Sequence, residues 1–279
     1  MFGARLFGSS VLVLLAAVSV GCARERAPAP DDVDGLSRFL FTHWEDDRAM
    51  ADGMSNIAIY LDGDGRSEEA QEDGFRLSAL TEEEIGEGIT YPSRTPIEDL
   101  VGVAVSYESP FPVEAHAALL PLQDQTWNAK QYERFDRTLI EGDADAFLAA
   151  EAPDVPELIR TDNDIVQERL GVRIPYTLRK DYRWVELDDG RVAVAGRTWA
   201  PNFGCSGDDG ESGNCLELSF SIDIFIEDGP EDTLRLTSSW SKLSLVVELG
   251  EDLQVATLAN GIIGIFEKTD AFIEERRGQ

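Results

Sequence analysis

The most regular pattern of apolar and polar residues lies in the last third of the chain. From Leu216 to Ile226 the even-numbered positions are apolar and most odd-numbered positions are polar. This period of two predicts a β-strand that buries one face and leaves the other face wet. Other strands expected in this region are the hairpin Trp184–Leu187 with Val192–Ala195, the segment Leu234–Leu249 with a change of phase at Trp240–Lys242, and the segment Leu253–Ala259.

Apolar residues three and four positions apart predict helices in the rest of the chain. The longest is expected at Ile262–Arg277, where one face is apolar and Asn260 is a candidate cap. Shorter helices are expected at Leu36–Trp44 behind Asp34, at Thr81–Gly88, at Val113–Leu120 and in pieces across residues 126–172, with short strands at Ile57–Leu61 and Val101–Tyr107.

This order of elements predicts an α+β fold in which a curved antiparallel sheet packs on a long C-terminal helix, with extra N-terminal helices. The order resembles the helix-grip arrangement of START-like (SRPBCC) proteins. The segments that carry the resemblance are Val101–Tyr107 with Val113–Leu120, the hairpins from Trp184 to Ala259, and Ile262–Arg277. Membership would place the domain at residues 97–279, after a helical and irregular extension at residues 35–96. Another α+β domain with a covered antiparallel sheet is the alternative.

The resemblance implies a hydrophobic cavity between the sheet and the last helix. The bulky residues expected to line it are Trp184, Trp199, Phe220, Ile222, Trp240 and Phe266. A solid aromatic core is the alternative, because alternation along a strand does not distinguish a filled interior from a hollow one.

The first 21 residues have the pattern of an export signal. Arg5 supplies a positive charge, the apolar run Val11–Val18 is too short for a stable membrane span, and small residues follow up to Gly21. Residues 22–34 are polar and rich in proline, which is typical of a tether between an anchor and a folded body. We therefore expect residues 1–21 to be removed from the exported protein.

The segment Val18-Ser19-Val20-Gly21-Cys22 resembles the lipobox of bacterial lipoproteins, although Ser19 stands where the family usually has leucine. Membership implies cleavage before Cys22, a diacylglycerol on its thiol and an acylated N-terminus, with palmitate among the acyl chains. Ala23 is not the aspartate linked to inner-membrane retention, so the resemblance implies a lipid-anchored protein of the bacterial cell envelope, at the outer membrane. Secretion without a lipid is the alternative.

The formal net charge of −30 limits the partners that the protein can bind. Such a negative field repels nucleic acid and anionic lipid head groups, while a cationic or envelope protein stays possible. Cys205 and Cys215 are the two cysteines besides Cys22, and they flank a segment rich in Gly, Asp and Ser. In an exported protein such a pair predicts one structural disulfide.

No catalytic, metal or cofactor motif stands out. His43 and His116 are the two histidines, and neither has a cysteine or histidine at metal-binding spacing. We therefore predict no catalytic residue, no metal ligand and no cofactor. The first functional hypothesis is an envelope lipoprotein that binds a hydrophobic small molecule or lipid in its cavity. The alternatives are a structural or protein-interaction lipoprotein with a solid acidic body, and an enzyme whose site is assembled from distant residues.

Overall fold

The computed structural model describes residues 28–128, 132–149, 158–169, 172–207, 209–246 and 250–278, with only the backbone of residue 169. The helices are α1 (Val33–Thr42), α2 (Asp47–Asp62), α3 (Glu82–Ile85), α4 (Val113–Ala117), α5 (Ala144–Ala149) and α6 (Glu251–Arg277). The strands are β1 (Phe75–Leu77), β2 (Val101–Ser109), β3 (Tyr132–Glu141), β4 (Ile159–Arg169), β5 (Val172–Glu186), β6 (Val192–Trp199), β7 (Gly204–Cys205), β8 (Cys215–Glu227) and β9 (Thr233–Ser244). The predicted leader and Cys22 lie outside the described residues.

All the described strands join one antiparallel sheet. Its order is β1-β2-β9-β8-β6-β5-β4-β3, and β7 pairs with the beginning of β8. The helix α6 packs against β2 and follows the sheet in the chain. The prediction of an α+β fold, with an antiparallel sheet on a long C-terminal helix in a helix-grip arrangement, is confirmed.

One face of the sheet is covered by the N-terminal helices. Phe220 of β8 and Trp240 of β9 lie under α1, where the ring of Phe41 meets them edge-on at centroid distances of 5.8 and 6.1 Å. The apolar face of α2, with Met50 and Met54, joins the same cluster. Fully burying one such side chain contributes about 1.5–3 kcal/mol. This face, which we call the core face, holds the largest hydrophobic core of the described residues.

The opposite face, which we call the helix face, packs on α6. Val103 and Val105 of β2 contact Ile262 and Phe266 of the helix. The two faces follow from the pleat of the strands, because successive side chains point to opposite sides. Among the described residues, none of the helices combines the length and the apolar character that crossing a bilayer requires.

Two strand predictions and one helix-cap prediction are wrong. Ile57–Leu61 is not a strand but the last turns of α2, whose Asp46 cap and preceding helical positions extend the pattern backwards. Leu253–Ala259 is not a strand either, because α6 already begins at Glu251. Asn260 therefore lies inside the helix, where its amide donates to the carbonyl of Ala256 at 2.8 Å, and the cap position is Gly250.

The helical prediction for residues 126–172 is wrong at its two ends. Tyr132–Glu141 and Ile159–Arg169 are the strands β3 and β4, although α5 between them is helical as expected. The inward positions of these strands include Arg137, Thr161 and Asn163, which are buried. Buried polar residues at inward positions remove the alternation by which a strand is recognised.

Candidate functional site

A cavity of about 330 Å³ lies between the helix face of the sheet and α6. Such a volume is at the lower end of the range of about 300–1,000 Å³ that is usual for small-molecule sites. Its apolar wall combines the helix with the far strands and the turn after α4: Leu119, Leu120, Trp127, Phe135, Ile174, Leu178, Leu258, Ile262 and Ile265. The cavity therefore lies where the START-like resemblance places one.

The floor of the cavity is polar. Ser221 of β8 lies directly opposite Ser239 of β9 on one side and Thr198 of β6 on the other. The neighbouring row pairs Asp223 with Thr237, whose hydroxyl donates to the carboxylate at 2.7 Å. Ser219, Ser221 and Asp223 of β8, which a sequence pattern assigns to solvent, thus line a ligand-sized space under α6.

Most of the aromatic residues predicted to line the cavity lie elsewhere. Trp199, Phe220, Ile222 and Trp240 are buried on the core face, under the N-terminal helices. The alternation correctly predicts that these side chains are buried, but the face of the sheet on which they lie is the one away from α6. This part of the cavity prediction is corrected: in the described structure these four side chains do not line the cavity.

The other two predicted residues lie on the helix side of the sheet. Trp184 packs on Phe147 of α5 and donates its indole N–H to the carbonyl of Phe147 at 2.8 Å. Phe266 packs on β2, and its ring centre lies 4.2 Å from the guanidinium carbon of Arg235. Phe266 therefore borders a residue of the cavity wall without lining the cavity itself.

Two buried arginines line the described part of the cavity, and in the first of them, Arg137, each of the three nitrogens makes a hydrogen bond. Its Nε donates to Asn163 Oδ1 at 2.7 Å, one Nη donates to the carbonyl of Leu120, and the other reaches the hydroxyl of Tyr182 at 3.2 Å. Burial lowers the pKa of Arg137, while Tyr182 opposes this effect. Arg137 therefore ties β3 to its neighbours and has few donors left for a ligand.

The second arginine, Arg235 of β9, is only 4% exposed, and two of its three nitrogens lack such partners. Its Nε and Nη1 make no hydrogen bond within the described structure. Its guanidinium carbon lies 4.2 Å from the ring centre of Phe266 and 4.9 Å from that of Phe225, so both rings offer cation–π contacts. Burial lowers the pKa of Arg235 to about 10, and the side chain stays charged at neutral pH.

His116, Ser109 and Asp270 form a chain of hydrogen bonds next to Arg235. Ser109 Oγ donates to Asp270 Oδ1 at 2.7 Å and lies 2.9 Å from His116 Nε2. Because the hydroxyl has one proton, which goes to Asp270, the imidazole donates through Nε2 and leaves Nδ1 as an acceptor. A serine in this order is not activated as a nucleophile, since its proton does not point to the imidazole.

Burial controls the protonation of His116 and Asp270. It lowers the pKa of His116 well below the ordinary value, and the nearby charge of Arg235 adds to the effect. Burial raises the pKa of Asp270, while hydrogen bonds from Ser109 and Tyr107 and the charge of Arg235 oppose the rise. At neutral pH the cavity therefore presents a neutral imidazole beside a charged guanidinium.

The charge of the cavity differs from that of the whole protein. Its described lining contains the cations Arg137, Lys180 and Arg235 and one carboxylate, Asp223, whereas the whole chain carries a net charge of −30. A cationic interior under an anionic exterior favours negative charge inside the cavity. Among the described residues, no group of three or more His, Cys, Asp or Glu could hold a metal ion.

Sequence reasoning missed Arg137, Arg235 and the row of serines and threonines. One available signal is Arg235 in the segment Thr233-Leu-Arg-Leu-Thr-Ser-Ser-Trp240. It stands between two leucines in a predicted strand, so it occupies the face opposite to theirs. The sequence indicates only packing or surface positions for the two histidines, and the structure places His116 in the cavity wall.

Neither a protein-family model nor a curated protein sequence matches the chain. Solved structures with similar folds include TTHA0849 from Thermus thermophilus, at 14% identity over 63% of this chain and 98% of that one, with a TM-score of 0.43. The Zhui aromatase/cyclase from Streptomyces sp. R1128 has 12% identity, coverages of 63% and 95%, and a TM-score of 0.38. Human StAR-related lipid transfer protein 5 has 10% identity, coverages of 82% and 99%, and a TM-score of 0.38.

Proposed function

We propose that the protein binds a small amphipathic molecule or lipid in the cavity between the sheet and α6, and that it does so as a lipid-anchored protein of the bacterial cell envelope. The observation that carries the binding proposal is the cavity of about 330 Å³, which has an apolar wall of leucines, isoleucines and aromatic rings. Apolar walls with a few placed polar groups are typical of small-molecule sites. The polar floor restricts the ligand to molecules with both apolar and polar parts.

Unpartnered polar atoms around the cavity support the same proposal. Among the described residues, ten buried side-chain nitrogen and oxygen atoms have no hydrogen-bond partner, and half of them belong to residues that line the cavity: His116, Asn128, Thr198 and, with two atoms, Arg235. Buried polar groups usually find partners, so such a concentration in one place suits a ligand with polar groups of its own.

The anchoring part of the proposal rests on the lipobox-like segment that ends at Cys22. A lipid on Cys22 would hold the body at the membrane surface, with the outer membrane as the proposed site. Labelled palmitate should be incorporated into the full chain and not into the Cys22→Ser variant. Equal labelling of both would remove Cys22 as the lipidation site.

The binding proposal is tested by native mass spectrometry of the full chain with Cys22→Ser, exported to an oxidising compartment so that the disulfide forms. We expect a bound mass that organic extraction removes and that added dodecanoate restores. A single mass without ligand, unchanged by added dodecanoate or dodecanol, would contradict binding and favour the alternative of an interaction protein with an acidic body.

A further inference from the structure

From the surroundings of Arg235 we propose that the ligand carries a carboxylate, which binds Arg235 at the polar end of the cavity while its apolar body lies along α6. This inference rests on the proposed function and specifies the chemical class of the ligand. It identifies Arg235 as the residue that selects an acidic amphipathic molecule over a neutral one.

The first support is the contrast between the two buried arginines. Arg137 donates to Asn163, Leu120 and Tyr182, so its buried charge is matched by acceptors. Arg235 is equally buried but has two N–H-bearing nitrogens without an acceptor. A buried guanidinium without acceptors is costly for the fold, and a bound carboxylate would supply acceptors that also carry the opposite charge.

The second support is that the carboxylates near Arg235 do not bond its unpartnered nitrogens, although Asp270 Oδ2 is itself buried without a hydrogen-bond partner in the described structure. Asp270 Oδ1 lies 4.0 Å from Arg235 Nη1, which is beyond hydrogen-bond distance, and it accepts from Ser109 instead. Asp223 accepts from Thr237. These two groups compensate the charge of Arg235 from a distance, but within the described structure they leave its Nε and Nη1 unbonded.

The third support is the arrangement of chemistry in the cavity. Arg235 lies in one row of the sheet with Phe225 and Tyr107, and the next rows carry Asp223 with Thr237 and Ser221 with Ser239. Ile262 and Ile265 of α6 contribute apolar lining. A molecule with a charged end would bond Arg235 through that end, and its apolar body would pack on the apolar lining of α6. The neutral imidazole of His116 would accept a hydrogen bond through Nδ1 from a ligand hydroxyl.

The experiment compares dodecanoate with dodecanol, which differ only at the polar end. Equilibrium dissociation constants are measured by calorimetry for the exported full chain with Cys22→Ser, alone and combined with Arg235→Met. We expect dodecanoate to bind about tenfold tighter than dodecanol or more, as a charge-assisted hydrogen bond in a buried site allows. With Arg235→Met the two constants should become similar, while that of dodecanol stays unchanged.

Arg173→Met is the matched control, because Arg173 lies on β5 of the same sheet, is exposed and pairs with Glu133 outside the cavity. It should keep the preference for dodecanoate. A preference that persists in Arg235→Met, or equal affinities in the chain with native Arg235, would overturn the carboxylate assignment and leave the proposed function standing. Failure of both molecules to bind would overturn the proposed function itself.

A second measurement does not depend on the folding of Arg235→Met. Dodecanoate labelled with ¹³C at the carboxyl carbon is titrated while bound to the chain with native Arg235. A nearby guanidinium favours the ionised carboxylate, so the bound carboxyl should titrate at a lower pH than the free acid. A bound carboxyl that titrates at a higher pH than the free acid would overturn the assignment.

Discussion

Ser109 Oγ lies 2.7 Å from Asp270 Oδ1, and this hydrogen bond joins the end of β2 to the C-terminal helix. The same hydroxyl accepts from His116 of α4, so three elements meet at one buried oxygen. The contact lies beside the cavity, whose lining includes His116 and Arg235. Its loss would affect both the fold and the position of α6.

Replacing Ser109 by alanine should destabilise the protein. The substitution leaves the carboxylate of Asp270 and the Nε2–H of His116 without their shared partner, and such a buried loss costs about 1–3 kcal/mol. The free energy of unfolding in urea gives the value. Ser93→Ala is the control, because Ser93 is exposed. Equal stabilities of the two variants would show that the Ser109 contact contributes nothing.

His116 should remain neutral at pH values where an ordinary histidine is protonated. Burial and the charge of Arg235 lower the pKa of His116 well below 6.5. The chain has two histidines, so a carbon–proton NMR spectrum resolves both rings, and His43→Asn assigns them. The His116 signal should not move as the pH falls from about 7.5 to 6. A midpoint near 6.5 would contradict the buried position.

The lowered pKa of His116 also predicts how stability depends on pH. Below pH 6.5, which is the ordinary pKa of histidine in an unfolded chain, the unfolded chain binds a proton that His116 does not bind in the folded chain. The free energy of unfolding therefore falls as the pH falls. Asp270, whose pKa is raised, has the opposite effect at pH values just above 3.8. There the folded chain binds the extra proton, so this group raises the free energy of unfolding as the pH falls. Urea unfolding at pH 7.5 and 5.5 should show the loss in the native chain. A smaller loss is expected in His116→Asn.

Two adjacent serines of β9 test which face of the sheet is which. Ser238 points to the core face, where its hydroxyl meets that of Ser37 at 2.7 Å, whereas Ser239 lines the cavity. Ser238→Leu should overpack the core and cost about 1–3 kcal/mol. Ser239→Leu should keep most of the stability but fill part of the cavity and weaken dodecanoate binding. The reverse result, in urea unfolding and calorimetry, would mean that the faces are exchanged.

The disulfide between Cys205 and Cys215 should stabilise the fold. The two cysteines are ten residues apart, and closing a loop of that size contributes about 2–3 kcal/mol in the chain-entropy model. The double variant Cys205→Ser with Cys215→Ser should lose this amount in urea unfolding. Reductant should lower the stability of the native chain and leave that of the double variant unchanged; an effect on both would point to another cause.

Much of the fold could be predicted from the sequence, because its apolar positions follow the period of each element. The strand β8 and the capped turn α3, where Thr81 and Glu84 bond reciprocally, are examples. The strands β3 and β4 could not be predicted, because buried Arg137, Thr161 and Asn163 interrupt their alternation. The disulfide was predictable from the export signal and from the two cysteines that flank one short polar segment, and the structure contains it.

The cavity residues were harder to predict for a related physical reason. A pattern of Ser, Asp and Thr on one face of a strand indicates solvent, and only tertiary structure shows that α6 covers Ser221 and Ser239. The aromatic residues of β8 and β9 drew the prediction to the other face, where they fill a solid core. Predictions from local sequence patterns fail most readily at functional sites, where polar groups are buried.

The alternation of β8 and β9 separates two kinds of evolutionary freedom. Even-numbered residues such as Phe220 and Trp240 maintain the core, while odd-numbered residues such as Ser221 and Ser239 face the cavity. A substitution at an odd-numbered position can change what the cavity accepts without disturbing the packing under α1 and α2. Related proteins can thus evolve to bind different ligands while the residues of the core stay the same. The same cavity positions can be varied in protein design without changing the core.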